Sequence, residues 1–119
     1  MAGAVGIGGV FFRAKDTSGL AAWYATHLGV VAGETPWQQQ AGPTVFAPFE
    51  AGSDYFPADR QWMINFRVDD LTALIADLKA AGVAVETRAE WDGPWGQFAR
   101  IHDPEGNPVE LWQPPAVNG

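Results

Sequence analysis

The 119-residue sequence has no cysteine, two histidines and seven basic residues against fourteen acidic ones. Without cysteine there is no disulfide framework, thiolate zinc site, iron–sulfur cluster or thiol nucleophile, so any chemistry must use oxygen or nitrogen. A net charge of −7 with no basic cluster leaves nothing to neutralise a phosphate backbone, and nucleic acid is not an expected partner. No run approaches the roughly eighteen apolar residues of a membrane span, and Met1 to Gly9 lacks the basic-then-apolar order of a leader. The expectation is a cytoplasmic protein with no membrane partner. What the chain does have is 47% hydrophobic and 13% aromatic residues, too much apolar material for disorder and enough for one domain over residues 1–119. Fourteen glycines and nine prolines point to short strands separated by many turns.

The chain repeats itself once. Phe12, Arg13 and Asp16 recur as Phe66, Arg67 and Asp70, each 54 residues on. Behind each set runs a helical pattern, Leu20, Trp23, Tyr24 and Leu28 up to Gly29, then Leu71, Leu74, Ile75 and Leu78 up to Gly82. An Asp or Ser precedes each pattern to accept the orphan N–H groups of a helix start, and the glycine suits a left-handed stop. Short extended candidates follow at 30–31, 38–40 and 44–49, and again at 83–87, 97–102 and 108–113. Each half therefore reads β-α-β-β-β, with one module at about 5–58 and the other at about 61–114. Asp103-Pro104-Glu105-Gly106-Asn107 predicts a tight hairpin turn, because Asp, Pro and Gly each stand where such a turn uses them. Residues 52–60, with Tyr55 and Phe56, read as a connecting loop.

Alternation along the strands sorts side chains onto two faces. Met63, Asn65 and Arg67 share a face opposite to Ile64, Phe66 and Val68, as do Phe11 and Arg13 opposite to Val10 and Phe12. Phe98, Arg100 and His102 join that first face from the next strand, and Glu110 and Trp112 from the last. Three arginines, a glutamate, an asparagine, a histidine and large aromatics compose a pocket lining better than a wet sheet face, although a solvated face or a subunit contact is the alternative. Three inward arginines with one carboxylate in an acidic protein imply an anionic or strongly accepting ligand, since guanidinium forks match such groups. Exposure of Arg13 or Arg67 at a rim would undo that inference. Glu110 has three readings: an ion pair with Arg100 or Arg67, a recognition group, or a general base. Of the six tryptophans, Trp91 and Trp95 sit in a Gly/Pro turn, as a lid over a planar ligand or packed on the body, with Trp95 the one assigned to the site. His27 stands at a helix end, where a cation suits the dipole.

The paired halves, the Trp23-Tyr24 to Leu28-Gly29 helix end, the run Phe66-Arg67-Val68-Asp69-Asp70-Leu71 and the closing Asp103 to Trp112 segment together resemble the vicinal oxygen chelate superfamily. Its members include glyoxalase I, bleomycin-resistance proteins, fosfomycin-resistance enzymes and extradiol dioxygenases. The resemblance implies an α+β fold in which two βαβββ modules form a cupped mixed sheet with helices outside, completed in a homodimer. It also implies a divalent metal on the first and last strands of the modules. At those positions this sequence has Gly9 and Met63 where histidines are usual, and it keeps only the carboxylate, Glu110. With His102 as the one further donor, no metal and no other cofactor is expected.

Three functions follow. The first is a metal-free small-molecule binding protein that takes an anionic or planar aromatic ligand through Phe11, Arg13, Met63, Asn65, Arg67, Trp95, Phe98, Arg100, His102 and Trp112. The second is a metal-independent isomerase or lyase with Glu110 as base, and the variant of it is a glyoxalase- or dioxygenase-like metalloenzyme with an atypical ligand set. The third is an interaction module whose cup is filled by its own aromatics.

Overall fold

Both helices begin and end at the predicted signals. Asp16 caps α1 (Thr17–Leu28), accepting from the Gly19 N–H at 3.0 Å, and Gly29 closes it at φ 68°. Asp70 caps α2 (Leu71–Ala80) through the Ala73 N–H at 3.0 Å, and Gly82 follows the last turn at φ 83°. The computed structural model describes residues 2–33 and 35–116. Among them no helix is long and apolar enough to cross a membrane.

Three strands form one mixed sheet in the order β1-β3-β2, from β1 (Ile64–Arg67), β2 (Gln97–His102) and β3 (Pro108–Gln113). The connection from β2 to β3 is the predicted hairpin, so that pair is antiparallel, while β1 returns through α2 and lies parallel to β3. The register fixes the faces. Asn65 and Arg100 both stand opposite Glu110, and Arg67 and Phe98 both stand opposite Trp112, so the predicted polar-aromatic face is real on these three strands. The other face carries Ala99, Ile101, Val109 and Leu111, all without solvent exposure, packed on Leu20, Tyr24, Leu71 and Leu78 of the helices. Each such leucine or isoleucine contributes about 1.5–3 kcal/mol by leaving water.

The hairpin turn also ties α1 to the sheet. The buried Asp103 carboxylate accepts from the Glu105 and Asn107 backbone N–H groups at 2.9 and 3.0 Å, from the Asn107 amide at 2.8 Å and from the Tyr24 hydroxyl at 2.7 Å. Gly106 turns at φ 82°. Glu105 in turn accepts from the backbone N–H groups of Lys15 and Asp16 at 2.7 and 2.9 Å. Burial first, and the Asp103 carboxylate second, hold the Tyr24 phenol far above its ordinary pKa.

The first module differs from its prediction. Residues 9–13, 30–31, 38–40 and 44–49 have no regular secondary structure and join no ladder, and no backbone–backbone hydrogen bond joins residues 31–49 to another segment among the described residues. Phe11, Val45 and Phe46 are exposed. In the second module, residues 83–87 contribute a single bridge, Glu86 to Arg100, with both hydrogen bonds at 2.8 Å. Among the described residues these segments pair with no strand, and the outer edge of β1 carries no ladder partner. The radius of gyration, 15.1 Å, accordingly exceeds the about 13–14 Å of a close-packed chain this long.

Candidate functional site

Glu110 lies at the centre of the polar face, on the middle strand, and is buried. One carboxylate oxygen, Oε1, accepts from the Asn65 amide at 2.7 Å, and the other, Oε2, accepts from the hydroxyl of Tyr55. Arg100 faces it from β2 and is only 5% exposed. Its guanidinium does not pair with Glu110. Nη2 donates to the Tyr55 carbonyl at 3.0 Å, the planar group lies 5.1 Å from the Tyr55 ring centre and 5.4 Å from that of Trp91, and the buried Nε has no acceptor. Among the described residues the one ion pair is Glu86–Arg88, at 2.9 Å on the surface. A buried guanidinium without a carboxylate is costly, and among the described residues Arg100 has neither a carboxylate nor an acceptor for Nε.

A cavity of about 440 Å³ opens at this guanidinium. The loop between the halves supplies Asp54, Tyr55, Phe56 and Pro57, the segment after α2 supplies Glu86, Arg88 and Trp91, and β2 supplies Arg100 and His102. Burial, reinforced by the Glu110 carboxylate and opposed by Arg100, pushes the Tyr55 phenol up to about 12, so Tyr55 is a hydroxyl donor throughout the ordinary pH range. Arg88 is held charged more firmly by its hydrogen bond to Glu86. It lies 5.2 Å from the centre of the Trp91 ring, so this indole meets two guanidinium groups.

Several residues expected on the pocket are elsewhere. Phe11 and Arg13 are exposed on unpaired chain, and Met63 is half-buried outside the cavity lining. Arg67 shares the sheet face but donates to the Gln40 carbonyl at 2.9 Å, and Arg13 is exposed, so the inward set of three arginines reduces to Arg100 and the inference of an anionic ligand from that set is undone. Glu110 makes neither of the ion pairs considered for it. Phe98 and Trp112 stack on each other with rings 6° from parallel, the Trp112 indole donates to the Trp95 carbonyl at 2.9 Å, and neither lines the cavity at Arg100. Trp95 is 55% exposed and hydrogen-bonded to the Trp91 carbonyl at 3.0 Å, and it is Trp91 that lines the cavity. His102 lines the cavity mouth and Asn65 holds Glu110. His27 packs on Trp23 in the last turn of α1, with ring centres 5.1 Å apart. Sequence reasoning passed over Tyr55, the residue with most contacts to the buried pair. Its signal was a pair of aromatics in an otherwise polar loop.

The model of the glyoxalase-like domain matches residues 9–112. The chain belongs to this family. The vicinal oxygen chelate likeness carried by the repeat and by the Asp103 to Trp112 segment is thereby established, together with the α+β class. Among solved structures, the glyoxalase-like chain is similar to TnmS3, an antibiotic-binding protein from Streptomyces sp. CB03234, with 28% identity and a TM-score of 0.50 over 85% of this chain and 88% of that one. It is also similar to a glyoxalase/bleomycin resistance protein from the same strain, 38% identical over 44% of this chain and 46% of that one, with a TM-score of 0.35. No curated protein matches. The metal that the family implies does not fit the donors present. Both Glu110 oxygens accept from neighbours, Gly9 and Met63 supply no nitrogen or oxygen donor from their side chains, and among the described residues no three His, Asp or Glu side chains gather in a metal-binding group.

Proposed function

We propose that this glyoxalase-like protein binds a small planar anionic molecule at the concave face of its sheet, without a metal, and does so as a homodimer. The observation that carries the reading is Arg100: buried, with no carboxylate partner among the described residues and its Nε unsatisfied, at the wall of a 440 Å³ cavity. That volume lies within the about 300–1,000 Å³ of small-molecule sites. Trp91 offers a flat face beside the guanidinium, which suits an aromatic acid better than an inorganic anion. The likeness to an antibiotic-binding protein of near-equal length supports sequestration of an antibiotic-like molecule over its conversion.

The Glu110 base reading has less support, since Asn65 and Tyr55 already donate to its two oxygens and hold it as part of the wall. The unpaired apolar segments of the first module favour the dimer, in which a second copy gives them an edge and closes the cup. Titration calorimetry with 2-naphthoate tests the ligand class. Binding is expected, with Arg100→Gln weaker by about tenfold to a hundredfold for loss of a charged hydrogen bond. Equal affinity in the two proteins would remove Arg100 from the site.

A further inference from the structure

One residue meets every feature of the site just described. The Tyr55 hydroxyl donates to Glu110 Oε2, its ring lies against the Arg100 guanidinium and 6.2 Å from the Trp91 ring centre, and its carbonyl accepts from Arg100 Nη2 at 3.0 Å. These contacts place a donor at one end of a flat ring, an acceptor at the other and an aromatic face between. They are the contacts that a planar phenol with an oxygen acceptor at its far end would make. Tyr55 makes them from a loop joined to the rest of the chain by few hydrogen bonds, with the Tyr55 and Phe56 rings 5.5 and 5.6 Å from that of Phe49. Within residues 50–60 the backbone bonds are the local ones, Ser53 N–H to Glu50 and Arg60 N–H to Pro57, and no ladder fixes the loop to the sheet. Apart from Tyr55 itself, the hydrogen bond from the loop to the body is that from Arg60 Nη2 to the Glu105 carbonyl, at 3.1 Å.

Resting on the ligand-binding reading above, we propose that Tyr55 is a built-in occupant of the site, which the ligand displaces. The ligand is then a flat hydroxyaryl compound. Its hydroxyl donates to Glu110, its ring takes the place of the phenol beside Trp91, and a carboxylate or carbonyl oxygen at the opposite end accepts from Arg100. The displaced loop takes the Tyr55 carbonyl off Arg100 Nη2, so an anionic oxygen can replace it on a guanidinium whose Nε already lacks an acceptor. Glu110 accordingly selects hydroxylated ligands, since a bare aromatic acid that expels Tyr55 leaves a buried carboxylate oxygen without a donor.

The probes are 6-hydroxy-2-naphthoate, which carries its hydroxyl and carboxylate at opposite ends, and 2-naphthoate, which lacks the hydroxyl. Removing a competing occupant raises apparent affinity by the fraction of protein it held closed. Tyr55→Ala is therefore expected to bind 6-hydroxy-2-naphthoate about tenfold more tightly than the wild type, and Tyr55→Phe, which keeps the ring and the fold but frees Glu110, more tightly by a smaller factor. In Tyr55→Ala the hydroxylated probe should exceed 2-naphthoate by about tenfold, the worth of a hydrogen bond to a charged acceptor. The proposal is overturned if both variants bind the hydroxylated probe no better than the wild type while Arg100→Gln still abolishes binding, because the site then exists and Tyr55 does not occupy it. Binding that ignores Arg100→Gln, or no binding in any protein, overturns the underlying reading as well.

Discussion

Arg100 and Glu110 stand directly opposite each other on neighbouring strands, yet each spends its hydrogen bonds elsewhere, and Tyr55 is what both contact. The strand parity that put Arg100 and Glu110 on one face was legible in the sequence, because alternation is a local property of the chain. The partner they share was not, because it comes from a loop 45 residues from one and 55 from the other, and loop paths leave no periodic signal. The two tyrosines of the chain, Tyr24 and Tyr55, both donate to carboxylates, and both phenols are raised from an ordinary value of 10.0. An acid whose folded pKa is raised stabilises the fold fully below its unfolded pKa and loses that contribution as pH rises toward the folded value. Stability should therefore decline from about pH 10 upward as the unfolded chain ionises first. Absorbance near 295 nm should show no phenolate in the native protein at pH 10, and ionisation only near pH 12 or on unfolding. A tyrosine that titrates with a midpoint at 10 would place a phenol in water.

At the scale of elements, the β2–β3 turn is the most completely specified piece of the molecule. Asp103 satisfies the turn's own N–H groups and also the hydroxyl of Tyr24, so one carboxylate joins the hairpin to α1. The turn was readable from Asp103, Pro104 and Gly106, and the helix limits from Asp16, Gly29, Asp70 and Gly82, because caps and tight turns depend on single residue types. Residues 83–87 were not, since their bonding to β2 shrinks to one bridge at Glu86, and apolar content alone does not fix how many ladder bonds a segment makes. Replacing Asp103 by Ala should destabilise the protein by about 3 kcal/mol, because a buried hydroxyl and several N–H groups lose their acceptor together. Urea unfolding measures it. A loss below about 0.5 kcal/mol, the ordinary surface value, would show that the turn does not hold α1 in place.

For the whole molecule the repeat in the sequence and the asymmetry in the structure belong to one argument. The second module has a packed sheet and the first, on the same plan, leaves Phe11, Val45 and Phe46 in solvent and, among the described residues, no backbone bond from 31–49 to another segment. The 54-residue offset announces two modules, but which chain completes the first is a question of edges that no single sequence contains. On the proposed homodimer, sedimentation should give about twice 12.8 kDa, and amides of residues 31–49 should be protected from exchange in that species. A 12.8 kDa particle with the same protection would mean that the first module folds without a second copy. The central claim, that a buried unpaired guanidinium receives the ligand's anionic group, is tested most directly at its own proton. The side-chain Nε–H signal of Arg100, assigned by comparison with Arg100→Gln, should move downfield and saturate as 2-naphthoate is added, in step with the calorimetric titration. A signal that stays in place while the probe saturates the protein would put the ligand somewhere else.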